Sequence, residues 1–126
     1  MIQGMLDTNI LIYISIKRPP EVIARLRKFR RGEIVISSIA WAEFSVGLYK
    51  AGIDGGRVDR FIDVLPFDRV AGDMFGKLTV KHPDRAKGFD RLIAAHAISA
   101  GLKLITNNIA DFTRYMDDGL MVENWV

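Results

Sequence analysis

A three-layer α/β/α fold around a parallel sheet of about five strands is the class this chain predicts, on three observations. Short apolar runs suited to strands recur five times, at residues 2–6, 33–37, 65–67, 102–105 and 120–123. Between them lie segments of helical length whose apolar residues return at helical spacing. Strands so separated call for crossover connections and helical cover on both faces of one sheet. The third observation is size: 126 residues, 49% of them hydrophobic, suffice for one proper core and not for two.

The elements follow in order. The run at 2–6 stops on Asp7, and TNILIYISI, 8–16, reads as a helix. Pro19-Pro20 opens a second helix to about Arg30, which Arg31-Gly32 closes. EIVIS, 33–37, is the second strand, and Ser37 or Ser38 caps a helix that runs to Lys50 and ends at Ala51-Gly52. Asp54-Gly55-Gly56 reads as a turn, followed by a helix around 57–64, a brief strand near 65–67 and a helix over about 68–80. His82-Pro83-Asp84 breaks the pattern. Residues 89–100 are helical with Gly101 behind them, 102–105 form a strand, 110–115 a helical turn and 120–123 the last strand. One domain is expected over 1–126.

Composition excludes several classes. Charged residues make up 26% and there is no low-complexity tract, so neither disorder nor a fibrous repeat is expected. The apolar stretches ILIYI and LIAAHAI fall well short of the roughly 20 residues of a membrane span. The amino end lacks the basic start and apolar core of a signal peptide, so a cytoplasmic location and no membrane partner are expected. Zero cysteines remove disulfides, thiolate metal sites and thiol catalysis together. Net charge is +3, with seven bases against the single acid Glu21 between Lys17 and Arg31. A solvated amphipathic helix, buried through Val22, Ile23, Leu26 and Phe29, is one account of that stretch. A phosphate-backbone partner is the other, since clustered bases gain affinity by releasing its counterions.

Four acids stand out by position. In parallel sheets ligands collect beyond the carboxyl ends of the strands, where Asp7 follows the first one; taken alone it is equally a helix N-cap. Glu43 lies in the apolar helix SSIAWAEFSVGLYK on a stripe with Ile39, Val46 and Gly47, which predicts a core-facing carboxylate. Such a group must be protonated, paired with a base such as an arginine, or close to a metal. Asp90 shares a stripe with Ile93, Ala94, Ala97 and Gly101 in the first turn of its helix, where the helix dipole also favours an acid. Asp111 follows Thr106-Asn107-Asn108 as either a first-turn dipole partner or an acid aimed at the cleft of Asp7, with Asn107 or Asn108 as cap. His96 stands between Leu92 and Ser99 and reads as packing or surface rather than a ligand.

Four independent caps explain such a set poorly, and clustered carboxylates repel and raise one another's pKa. An oxygen-only set with no cysteine and no suitably spaced histidines matches Mg²⁺ or Mn²⁺. An ion so held suits phosphodiester hydrolysis, by acidifying a water and neutralising charge on the phosphate.

The chain resembles the PIN-domain ribonucleases, and closely the VapC toxins of bacterial toxin–antitoxin pairs. The resemblance rests on MLDTNILIYI, PPEV, ISSIAWAEFSVGL, FDRLIAAHAISAGLKLITNN and GLMVENW, in order over nearly the whole chain. It implies a PIN-like fold, a Mg²⁺-dependent endoribonuclease acting on structured RNA such as tRNA or rRNA, a VapB-like antitoxin and a homodimer. The family's acids fall on Asp7, Glu43 and Asp90, with Asp111 as the fourth unless the position of Asn108 takes that place. Thr8 and Asn9 are placed to orient Asp7 or a metal-bound water, and residues 79–88 form a shorter segment than relatives carry. A phosphoryl-accepting receiver domain would need an acid pair after the first strand and a late lysine, and a phosphatase with two aspartates two residues apart meets Asn9 at the second place. An RNA-binding scaffold that does not cut is the remaining alternative.

Overall fold

The computed structural model describes residues 1–52 and 57–126, so the turn expected over Asp54-Gly55-Gly56 lies outside the described residues. Five strands form one parallel sheet: β1 (Gly4–Leu6), β2 (Ile34–Ser37), β3 (Asp63–Leu65), β4 (Lys103–Ile105) and β5 (Val122–Glu123), in the order β3-β2-β1-β4-β5. Leu6 is in register with Ile36 on one side and with Ile105 on the other. The residues that follow these strands, Asp7 and Thr106, therefore arrive side by side at the carboxyl edge. Strand order reverses across β1, which is where such sheets bind ligands.

Among the described residues, five α-helices connect and cover the strands: α1 (Thr8–Ile16), α2 (Pro20–Leu26), α3 (Ser38–Ala51), α4 (Arg69–Lys81) and α5 (Asp90–Ala100). Helix α1 has its expected bounds, beginning directly after Asp7. Helix α3 takes its N-cap from Ser37, whose hydroxyl accepts from Ile39 N–H at 3.2 Å, and stops at Gly52 in the left-handed conformation. Ser38, the other candidate cap, instead accepts from Phe67 N–H at 2.9 Å. Met5, Leu6, Ile36, Leu104, Ile105, Phe112 and Tyr115 are fully buried in one core that also takes in Ile10, Leu11, Ile93 and Trp125.

Two elements differ from their expected form. Helix α2 ends at Leu26 rather than near Arg30, because Phe29 turns to stack on Trp125 with ring centroids 5.8 Å apart. The Glu33 carboxylate accepts from Arg30 N–H at 2.6 Å and fixes the bend. Instead of a helix over 57–64 there is a single 3₁₀ turn, Arg57–Arg60, and then β3. Residues 63–65 pair with β2 through Val35, Ile36 and Ser37. The strand cannot continue to 67 as expected, since Pro66 has no N–H to give a ladder.

Candidate active site

Asp7 is set by the sheet and held by two neighbours. Its backbone N–H donates to Ile105 O at 2.9 Å, continuing the β1–β4 ladder by one residue. One carboxylate oxygen accepts from Thr8 N–H at 2.7 Å and the other from Thr106 Oγ1 at 2.9 Å. The cap reading and the site reading thus both hold: Asp7 is the N-cap of α1, yet only one of its oxygens serves the helix. The side chain is only 4% exposed, and burial pushes its pKa up against the two hydrogen bonds, with Glu43 and Asp111 adding repulsion.

Glu43 corrects the sequence expectation. The face of α3 turned to the core is Ala40 and Phe44, while Val46, on the supposed core stripe, is 53% exposed. Glu43 is half-buried at the boundary where α3 meets the start of α1, and accepts from Thr8 Oγ1 at 2.8 Å. Thr8 therefore ties two acids together, one through its backbone and one through its hydroxyl.

Asp90 opens α5, half-buried, while Ile93, Ala94 and Ala97 of its stripe are buried as expected. Its pKa is pushed up to about 6, first by burial and then by Asp7, Asp111 and Glu43, against a smaller opposing pull from Lys87. Asp111 is half-buried in the 3₁₀ turn Ile109–Asp111, and Lys87 Nζ stands 3.6 Å from its carboxylate. Asn108 takes the cap position of that turn without a side-chain cap bond. Asn107 donates to the Tyr13 hydroxyl at 2.7 Å, and Asn9 Oδ1 accepts from Asn107 N–H at 3.2 Å, so Asn9 steadies the β4 end.

The four acids thus come from the end of β1, the 3₁₀ turn beyond β4 and the amino-terminal parts of α3 and α5, close enough to raise Asp90 jointly. Among the described residues, no three His, Cys, Asp or Glu side chains are grouped so that they could hold a metal ion together. The donor chemistry still fits a hard dication: every candidate donor is a carboxylate, and burial and mutual repulsion leave Asp7 and Asp90 in want of a cation.

Several residues beside these acids went unread in the sequence. Thr106 is buried and joins Asp7, Asn9 and Asn108 N–H; its only sequence signal was its place at a strand end. Arg85, Lys87 and Arg114 line a cavity of about 250 Å³ together with Asp90 and Asp111. Two residues of the expected basic stretch are engaged with acids, while Arg27, Lys28 and Arg30 are exposed. Arg25 pairs with Glu123 at 3.1 Å and lies over Trp125, and Arg31 pairs with Asp63 at 3.4 Å. His96 is buried, not on the surface, and shares a 2.9 Å hydrogen bond with Ser37 Oγ.

A parallel α/β sheet in this order, with acids gathered beyond its central strands, defines the class to which the PIN domain belongs, and the PIN domain family model matches residues 4–116. The chain is 36% identical to the tRNA(fMet)-specific endonuclease VapC of Shigella flexneri, over 99% of both chains. It is 33% identical to ribonuclease VapC2 of Haemophilus influenzae, over the full length of both. In structure it matches the VapBC2 complex of Rickettsia felis bound to a promoter DNA fragment, with a TM-score of 0.85, 30% identity and complete coverage of both chains. The chain belongs to the PIN-domain family, in its VapC ribonuclease branch.

Proposed function

We propose that this chain is the toxin of a toxin–antitoxin pair, an endoribonuclease that uses Mg²⁺, with Mn²⁺ as a substitute, to cut a phosphodiester in structured RNA. The observation that carries the reading is the convergence of Asp7, Glu43, Asp90 and Asp111 on one sheet edge, where three of them raise the pKa of the fourth. Asp7 and Asp90 are the residues that would hold the ion, with Glu43 and Asp111 completing its surroundings. When bound, the ion supplies an acidified water and neutralises charge on the phosphate. Thr8 and Thr106 fix the Asp7 carboxylate, and Thr8 fixes Glu43, so neither acid must be ordered as the reaction proceeds. The name of the Shigella relative favours tRNA as the RNA class, with rRNA the other candidate.

A VapB-like antitoxin is the proposed protein partner, because the matching solved chains were determined as VapBC complexes. Self-association is proposed as well. Ile12 and Ile16 of α1 and Val46 and Tyr49 of α3 leave apolar surface exposed on two helices that pack together.

The test is cleavage of total tRNA and rRNA by the purified chain with and without Mg²⁺, with the cut ends mapped. Discrete ends that need the metal are expected. Asp7→Asn and Asp90→Asn are each expected to lower the rate by at least about a hundredfold, since each keeps the side chain's shape and loses its charge. Intact RNA with every divalent metal would leave an RNA-binding scaffold in place of a nuclease.

A further inference from the structure

The cavity beside the acids is built, not incidental. Arg91 is the residue after Asp90 in α5, and its side chain is only 5% exposed. Its Nε donates to the Tyr115 hydroxyl at 3.2 Å and its guanidinium donates to the backbone carbonyl of Asp84 at 2.9 Å. The Asp84 carboxylate in turn lies 3.9 Å from Arg91 and accepts from Arg114. The Arg114 guanidinium sits over the Tyr115 ring, 5.5 Å from its centroid. One buried arginine therefore fastens the short segment before α5 to the 3₁₀ turn Thr113–Asp118, and these are the two segments that carry Arg85, Lys87 and Arg114.

The charges in this cavity are of both signs and sorted by neighbour. Asp90 and Asp111 face the cluster that includes Asp7 and Glu43. Arg85, Lys87 and Arg114 outnumber these two acids among the lining residues. Arg85 and Lys87 are exposed, and the Lys87 ammonium is held only loosely, at 3.6 Å from Asp111. A dication neutralising Asp90 and Asp111 would free Lys87 from its loose contact and leave Arg85 and Lys87 with positive charge to offer beside the reaction centre, Arg114 standing next to them paired with Asp84. We propose that Arg85, Lys87 and Arg114 form a phosphate subsite next to the acid cluster, pre-ordered by Arg91 and Asp84, that takes a backbone phosphate of single-stranded RNA neighbouring the one cut.

This subsite deepens the nuclease reading and rests on it for the identity of the ligand. It also assigns RNA steering to a different set of bases than the sequence suggested. The bases of 17–31 sit on the connection that leaves α1 and returns to β2, and Arg25 and Arg31 are already paired with acids.

The probe is a short dye-labelled single-stranded RNA, titrated against the full chain carrying Asp7→Asn, over a range of salt concentrations at fixed Mg²⁺. Replacing Arg85, Lys87 and Arg114 together by Gln is expected to weaken binding about tenfold near physiological salt. The salt slope should fall by about 0.7, since the subsite holds one phosphate and each phosphate contact on a single strand contributes roughly that much. Replacing the exposed Arg27, Lys28 and Arg30 together by Gln is expected to leave the slope within error of the parent. An unchanged slope in the first triple variant, or an equal loss in the second, overturns the subsite. Cleavage plays no part in this readout. A chain that never cuts RNA but loses slope on the first triple substitution keeps the subsite and loses the nuclease reading, whereas cutting with an unchanged slope does the reverse.

Discussion

Asp90 shows how a single side chain can weaken a fold. Its folded pKa of about 6 lies above the ordinary aspartate value of 3.8, burial and three acidic neighbours being the causes. The unfolded chain therefore gives up this proton first as pH rises. The stability linked to Asp90 is complete below pH 4, is lost between about pH 4 and 6, and is absent above that. Asp90→Asn is expected to raise the melting temperature of the metal-free protein at pH 7. The gain is about 1 kcal/mol once the shift is discounted for solvent screening of a half-buried group. Near pH 4 the same substitution should change little. His96 acts in the opposite sense, because burial lowers its pKa and stability is lost as pH falls below about 6.5. Melting curves of Asp90→Asn and parent compared across pH 4–8 cancel the His96 contribution, and a difference that does not grow with pH would refute the repulsion.

A second test at this scale concerns Thr106, whose hydroxyl donates to Asp7 and accepts from Asn108 N–H at 3.0 Å. Thr106→Val keeps the shape and strands both groups. A destabilisation of about 1–3 kcal/mol is expected in urea melts, with Mg²⁺-dependent cleavage lowered in the same variant.

At the scale of elements, Ser37 joins three of them. It is the last residue of β2 and the N-cap of α3, and its hydroxyl meets Nδ1 of His96 in α5. Ser37→Ala removes a cap worth about 1 kcal/mol and leaves a buried imidazole nitrogen without that partner, for a combined loss of about 2–3 kcal/mol. The midpoint of chemical denaturation should shift accordingly; a loss under 0.5 kcal/mol would mean that water replaces the hydroxyl. Boundaries at this scale were legible where local chemistry decides them. Asp7, Ser37, Asp68 and the left-handed Gly52 and Gly101 bracket α1, α3, α4 and α5 within a residue or two of expectation. They were illegible where a distant partner decides. Nothing near Phe29 announces Trp125, and the spacing at 57–64 is helical although the free edge of β2 draws 63–65 into a strand.

Across the whole molecule the acids were legible because strand-end and first-turn positions are fixed by periodicity alone, and a carboxylate there is conspicuous in an apolar neighbourhood. The Glu43 stripe misled for the same reason, since apolar residues on α3 serve exposed surface as well as core. The surrounding bases were not legible: Arg85 and Lys87 are ordinary residues of a short loop until Arg91 and Asp84 fasten that loop beside Arg114.

Because the four acids belong to four separate elements, their repulsion acts between elements, and a dication that relieves it should stabilise the entire fold and not one loop. At tenfold excess over its dissociation constant, an ion binding only the folded state adds about 1.4 kcal/mol. For a domain of this size that is a rise on the order of 5 °C in melting temperature. Mg²⁺ is expected to produce such a rise and an equal concentration of charge added as NaCl a much smaller one, because screening is weak for the buried Asp7. Asp90→Asn should start from a higher melting temperature without metal and gain less on its addition, so the two effects change in opposite directions within one variant. Equal gains in parent and variant would place the ion away from Asp90. The absence of any gain in the parent, with cleavage still dependent on Mg²⁺, would mean that the ion enters only with RNA, its remaining ligands supplied by phosphate oxygens and not by Glu43 and Asp111.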